Sequence, residues 1–164
     1  MFGFLKNKSK KQESEKLYAP VDGKVIPLSE VDDPVFSQKM AGDGVAIDPT
    51  SDTIESPADG TLELVFNTKH AFALKLDNGA EILVHIGLET VSLNGEGFTQ
   101  LTEAGSKVKA GTPIIKIDRE FIKSKGCSLV TPVLITNPDA LSSINKIENI
   151  DVVAGETAVI EYTI

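Results

Sequence analysis

The chain is short of several things, and each shortage excludes something. It has one cysteine, Cys127, so no intrachain disulfide can form. Its stability must come from burial and hydrogen bonding, and a reducing cytoplasm is the expected compartment. The ordinary role for such a cysteine is a small, half-buried apolar residue. No apolar run approaches the ~20 residues that a membrane-spanning helix needs. No secretory signal pattern opens the chain either: Met1-Phe-Gly-Phe-Leu5 leads into lysines, without a long apolar region or a small-residue cleavage site. Long 3.6-residue periodicity is missing as well. With 13 Gly, 8 Pro and Val, Ile and Thr throughout, the pattern is that of an all-β fold with many short strands.

Basic charge is scarce outside one end. Residues 1–16 carry a net charge of +3 and residues 17–164 a net charge of −11. Nucleic acid is therefore not an expected partner, and a basic protein surface is. Residues 1–16 read as a flexible basic tail, and 17–164 as a single domain long enough to bury about 70% of its unfolded surface. In the tail, Phe2, Phe4 and Leu5 precede Lys6, Lys8, Lys10 and Lys11. This is either a soluble leader or, over residues 1–11, a weak contact with anionic membrane.

Within the domain, Tyr18-Ala-Pro-Val-Asp-Gly-Lys-Val-Ile26 recurs as Glu55-Ser-Pro-Ala-Asp-Gly-Thr-Leu-Glu63. A second pair, Gly105–Ile117 and Val153–Ile160, is related in the same way. Each copy reads as strand, turn, strand. The repetition is weak, but it is consistent with a sandwich of two similar halves. A helical turn is expected after Pro34. A second short helix is expected over Asp118–Lys125, capped by Asp118 and ended by Gly126.

Histidine is also scarce, with two in the whole chain, His70 and His85. They flank Asn78-Gly79, a strong hairpin signal. A two-residue loop there pairs Phe72 with His85, Ala73 with Val84 and Leu74 with Leu83. His70 then becomes a same-face diagonal neighbour of His85, at roughly 7–8 Å or less between Cβ atoms. A three-residue loop would send the two to opposite faces. Thr68 shares the face of His70, and its hydroxyl can fix an imidazole tautomer. Singly, a histidine on an apolar strand is more often a packed core residue. As a close pair, three chemistries fit. One is phosphoryl relay through a ring nitrogen. The second is a metal site, for which Glu89 or Asp43 would have to supply a third ligand, although no ligand spacing announces one. The third is acid–base catalysis, which needs a substrate cleft that the sequence does not display.

The segment around His85 is more specific. Gly79-Ala-Glu-Ile-Leu-Val-His85-Ile-Gly-Leu-Glu-Thr-Val91 resembles the phosphorylation-site signature of the glucose-family enzyme IIA components of the bacterial sugar phosphotransferase system. Thr68-Lys-His70-Ala, Asp33-Pro-Val-Phe36, Gly42-Asp-Gly44, Ser56-Pro-Ala-Asp-Gly60 and Gly95-Glu-Gly-Phe98 resemble family segments in the same order. The likeness spans about residues 17–162. It implies an antiparallel β-sandwich of duplicated half-barrels with short helical turns. His85 would accept a phosphoryl group on Nε2 from phospho-HPr, while its Nδ1 bonds a backbone carbonyl near Gly87. His70 would support the transfer and Thr68 would orient a histidine. The group would pass to a cysteine on the IIB domain of a sugar permease, probably glucose-type. No cofactor or metal is implied. Asp33, Val35, Phe36, Phe66, Leu83, Glu89 and Val91 are candidates for an apolar, acid-edged partner rim. Val35 and Phe36 fall in an irregular segment, where exposure is expected. Glu89 stands where the family often has Asp, one methylene shorter. The alternative is a regulatory or metal-binding module of the same fold.

Overall fold

The computed structural model describes residues 14–164. The tail reading therefore falls almost wholly outside the described residues. The first strand, β1 (Glu15–Tyr18), takes in Glu15 and Lys16, which the sequence reading gives to the tail, because both pair with the last strand. Fourteen antiparallel strands follow one another with two short helices among the described residues. They form one eight-stranded sheet and two three-stranded sheets. The all-β expectation holds, as does the expected helical turn after Pro34. This is α1 (Pro34–Ser37), whose first free N–H groups include that of Val35, bonded to the capping Asp33 carboxylate at 3.0 Å. The second expected helix is α2 (Arg119–Ser124), capped by Asp118 through the Phe121 N–H.

The repeats meet at a seam where hydrogen bonds come in matched pairs. Tyr18 N–H donates to Pro57 O at 2.8 Å, and Glu55 N–H to Pro20 O at 2.6 Å. Ala19 N–H donates to Thr157 O and Ser56 N–H to Thr112 O, both at 2.8 Å. Gly155 N–H reaches Ala19 O and Gly111 N–H reaches Ser56 O, both at 2.9 Å. The Asp22 carboxylate accepts from Ala154 N–H at 2.8 Å, and the Asp59 carboxylate from Ala110 N–H at 2.9 Å. The sequence repetition, weak by itself, thus corresponds to a repeated network. Some of the polar groups that the Pro-x-Asp-Gly turns leave open are closed from the sister copy and some from the other repeat pair, in matched fashion.

The main core lies between the sheets and includes Leu17, Val25, Ile47, Leu62, Phe72, Leu74, Ile82, Val84, Ile86, Val133 and Ile160. A second, smaller cluster lies on the opposite face of the large sheet. There Leu28, Val31, Phe36, Ala46, Leu88 and Leu134 pack together, with Leu83 at their edge. Its function is to seat α1 on the sheet. Each buried side chain of this size contributes about 1.5–3 kcal/mol, enough to hold a four-residue helix that could not persist alone.

The hairpin of β6 (Ala71–Lys75) and β7 (Glu81–His85) corrects the expected register. Ala71 lies opposite His85, Phe72 opposite Val84, Ala73 opposite Leu83 and Leu74 opposite Ile82. The loop has three residues, Asp77, Asn78 and Gly79, closed by Leu76 N–H to Ala80 O at 3.0 Å. Gly79 takes the left-handed conformation (φ +94°) that such a loop needs. Burial decides between the registers. Phe72, Leu74 and Leu76 are buried, as are Ala80, Ile82 and Val84. The observed pairing sets these two rows on one face, whereas the two-residue loop would set each against exposed or half-exposed residues. Asn78 serves elsewhere, donating from Nδ2 to Tyr162 Oη at 2.8 Å.

Candidate functional site

Despite the changed register, the two imidazoles meet. Their ring centroids are 5.0 Å apart and the planes cross at 81°. His85 closes β7 on the outer face of the sheet, the face of Leu83. His70 lies just before β6, immediately after Lys69, which is left-handed (φ 57°). Strand alternation does not reach it, so its ring turns towards His85 although its paired position would face the core. Its backbone still belongs to the ladder, since His70 O accepts from Ile86 N–H at 2.6 Å. The predicted proximity is real, but a backbone turn at Lys69 produces it rather than diagonal pairing.

Each ring is held by its Nδ1. His85 Nδ1 donates to Gly87 O at 2.8 Å, because a carbonyl can only accept. His70 Nδ1 bonds the Thr68 hydroxyl at 2.6 Å. Thr68 reaches the ring from the turn before β6, not by sharing a strand face with His70 as the sequence pattern suggests. Neither Nε2 has a hydrogen-bond partner among the described residues. No buried side-chain polar atom among them lacks a partner, so both Nε2 atoms reach solvent. His70 is only 4% exposed. Burial and the neighbouring His85 pull its pKa down to about 4. Burial lowers the pKa of His85 as well, opposed by the Gly87 carbonyl bond and the Asp33 carboxylate. Both rings are neutral near pH 7. For His85, the proton lies on Nδ1 and the lone pair on Nε2.

Aromatic rings support both imidazoles from behind. Phe36 is tilted against His85 at 4.9 Å between centroids, and Phe66 meets His70 edge-on at 5.4 Å. Phe36 corrects an expectation, being buried at 5% exposure, because α1 turns it into the smaller apolar cluster. Val35, next to it, is exposed as expected, and so is Val91. Leu83 and Phe66 are half-buried. Met40 was not singled out from the sequence, yet it is 70% exposed and bonded through its N–H to Val35 O. It extends the apolar surface beside α1. An unpaired methionine after a helical turn was the available signal.

Acidic groups gather on one side. A groove of about 510 Å³ is lined by Ile26, Glu30, Asp32, Asp33, Leu88 and Glu89, among others. Glu89 is exposed and left-handed (φ 60°). Asp43, a possible third metal ligand in the sequence, is instead engaged by Lys146 at 3.0 Å and Lys39 at 3.6 Å. Among the described residues, no three His, Cys, Asp or Glu side chains come together as a metal would require.

Fold and site together define an all-β protein that offers two neighbouring ring nitrogens to solvent on one face of its large sheet. The chain belongs to the EIIA 1 family of the phosphoenolpyruvate-dependent sugar phosphotransferase system, whose model matches residues 15–141. It is 46% identical to a glucose-specific EIIA component of that system from Staphylococcus epidermidis, over 100% of this chain and 99% of that one. A glucose-specific EIIA component from Staphylococcus aureus is 45% identical, over 99% of each chain. The solved structure of the glucose permease IIA from Mycoplasma capricolum superposes with a TM-score of 0.84 at 38% identity. That match covers 90% of this chain and 96% of the other. The antiparallel β-sandwich is thereby established, as is a phosphotransferase role in sugar uptake. No helix among the described residues is long and apolar enough to cross a membrane.

Proposed function

We propose that this protein is the cytoplasmic phosphocarrier that takes a phosphoryl group from phospho-HPr onto His85 Nε2. It then passes the group to the IIB cysteine of a sugar permease, glucose-type by its relatives' names. The observation that carries this reading is the Gly87 O bond to His85 Nδ1. It places the proton on Nδ1 and leaves the Nε2 lone pair to attack phosphorus. As the Nε2–P bond forms, the donor's own N–P bond breaks, and its electron pair leaves with the donor imidazole. His70 then acts as helper. With the Thr68 hydroxyl donating to its Nδ1, its proton sits on Nε2, where it can bond a phosphoryl oxygen and spread the charge of the transition state. The depressed pKa keeps His70 a neutral donor. Phe36 and Phe66 shield the rings from water, so the phosphoryl group survives until the acceptor docks. The acidic groove beside Asp33 and Glu89, with exposed Val35, Met40 and Val91, suits a basic partner with an apolar centre, held briefly.

The test is intact mass after incubation with phosphoenolpyruvate, enzyme I and HPr. One added, acid-labile phosphoryl group is expected. His85→Ala should abolish it. His70→Ala should still accept the group but deliver it poorly to the permease. No gain in mass with active HPr would refute the relay.

A further inference from the structure

We propose that Thr90 is a positioning residue for His85, gripping the 86–90 loop so that the Gly87 carbonyl stays on Nδ1. The proposal rests on the reading of His85 Nε2 as the phosphoryl acceptor, but the geometry stands independently of it. Thr90 is fully buried, one of few polar residues that are. Its hydroxyl donates to Ile86 O at 2.6 Å, four residues back. That spacing is familiar in helices, yet residues 86–89 lie outside any helix, with Gly87 at φ +77° and Glu89 at φ 60°, and Thr90 only opens a short 3-10 turn. Such a loop has few bonds of its own to fix its shape.

Thr90 supplies one through its hydroxyl. Its hydroxyl holds the peptide before Gly87, while its methyl lies against Gly87 itself. A Cβ placed on Gly87 would stand 2.5 Å from Thr90 Cγ2 and 2.6 Å from Ser128 O. The far side is pinned by Leu88 N–H to Ser128 O at 3.0 Å. Ile86, the residue that Thr90 holds, also donates its N–H to His70 O. One side chain thus ties the carbonyl that sets the His85 tautomer to the strand end that carries His70.

The chemistry follows from satisfaction of buried groups. Without the hydroxyl, Ile86 O is left buried and unpaired. The loop must then open to hydrate it, and the Gly87 carbonyl moves with it. Nδ1 of His85 loses its fixed acceptor, and the proton becomes free to settle on Nε2. An imidazole protonated there has no lone pair for phosphorus. Phosphoryl uptake should slow roughly tenfold or more, the scale of a displaced catalytic geometry.

The experiment compares Thr90→Val, which removes the hydroxyl, with Thr90→Ser, which keeps it and removes the methyl. The primary readout is the ring-nitrogen NMR shifts of His85 in the unphosphorylated protein, which report the tautomer. Thr90→Val should show a mixture containing Nε2–H and take up the phosphoryl group at least tenfold slower. Thr90→Ser should keep the Nδ1–H tautomer and stay within about threefold of the wild-type rate, as expected if the retained hydroxyl carries the effect. Wild-type shifts in Thr90→Val overturn the proposal, whatever the uptake rate. A changed tautomer in Thr90→Ser overturns it too. Thr90→Ala, with no γ atoms to misfit, is read in the same way if the valine variant does not fold. A wild-type protein that accepts no phosphoryl group would refute the relay, while the NMR comparison would still decide the role of Thr90.

Discussion

Asp22 and Asp59 stand at the same position in two copies of one turn, and each accepts a backbone N–H from the partner repeat. The histidine face has no such counterpart. The seam is built twice by the same bonds, whereas the site is built once, from local departures in one part of the chain. Lys69 and Glu89 are forced left-handed there, α1 is laid over the sheet, and Gly87 is packed where no Cβ fits. Left-handed non-glycine residues cost of order 1–3 kcal/mol each and gather where function requires them. The seam makes the fold and tolerates symmetry. The histidine face breaks it.

Several perturbations would break or sharpen that contrast. Phe36→Ala should have the largest effect, losing about 3–5 kcal/mol in urea unfolding. It should also reduce phosphoryl uptake, since the ring behind His85 disappears. An unchanged uptake rate would detach the smaller apolar cluster from function.

Acid should act on the two regions in opposite directions. The folded-state pKa of His70, about 4, lies below the unfolded value near 6.5. Its contribution is complete above pH 6.5 and is lost as pH falls towards 4, because only the unfolded chain then takes a proton. The loss is roughly 1–3 kcal/mol, allowing for water at the open Nε2. At the seam, Glu55 is pushed up by burial and by the Asp22 and Glu156 carboxylates. Its stabilising effect is present at low pH and lost as pH rises through its folded value. His70→Gln should flatten the stability curve between pH 4 and 6.5, and Glu55→Gln should stabilise the protein at pH 7. A wild-type pH curve in either variant would contradict its assignment.

The smallest effects belong to the paired aspartates. Asp22→Ala and Asp59→Ala each remove one seam bond, about 1 kcal/mol, with phosphoryl uptake intact. Asp22→Ala should lose less at neutral pH, because its carboxylate also raises Glu55. Thermal unfolding of the two variants side by side measures the difference, and a larger loss in Asp22→Ala would contradict it.

Much of this was legible beforehand, for identifiable reasons. Proline fixes a torsion and Asp-Gly prefers a turn, so the Pro20 and Pro57 repeats stood out. The helical turn at Pro34 is readable because proline suits a first helical turn, whereas the Asp33 cap is visible only in the structure. His85 could be placed through the residues around it. The hairpin register is not legible, because Asn78-Gly79 favours a short loop locally, while the alternating burial of Phe72, Leu74, Leu76, Ala80, Ile82 and Val84 selects a longer one. Nor is the burial of Phe36, because a four-residue helix reveals little of which side faces inward.

By itself, the sequence determined the all-β class, the duplicated turns, the short helices and the pair of histidines, since these depend on local torsional preference and on residue identity. Only the tertiary structure decided how the rings meet and what holds the Gly87 carbonyl in place. Those depend on a left-handed turn at Lys69, on bonds between distant peptides and on the burial of Thr90, none of which a local pattern encodes.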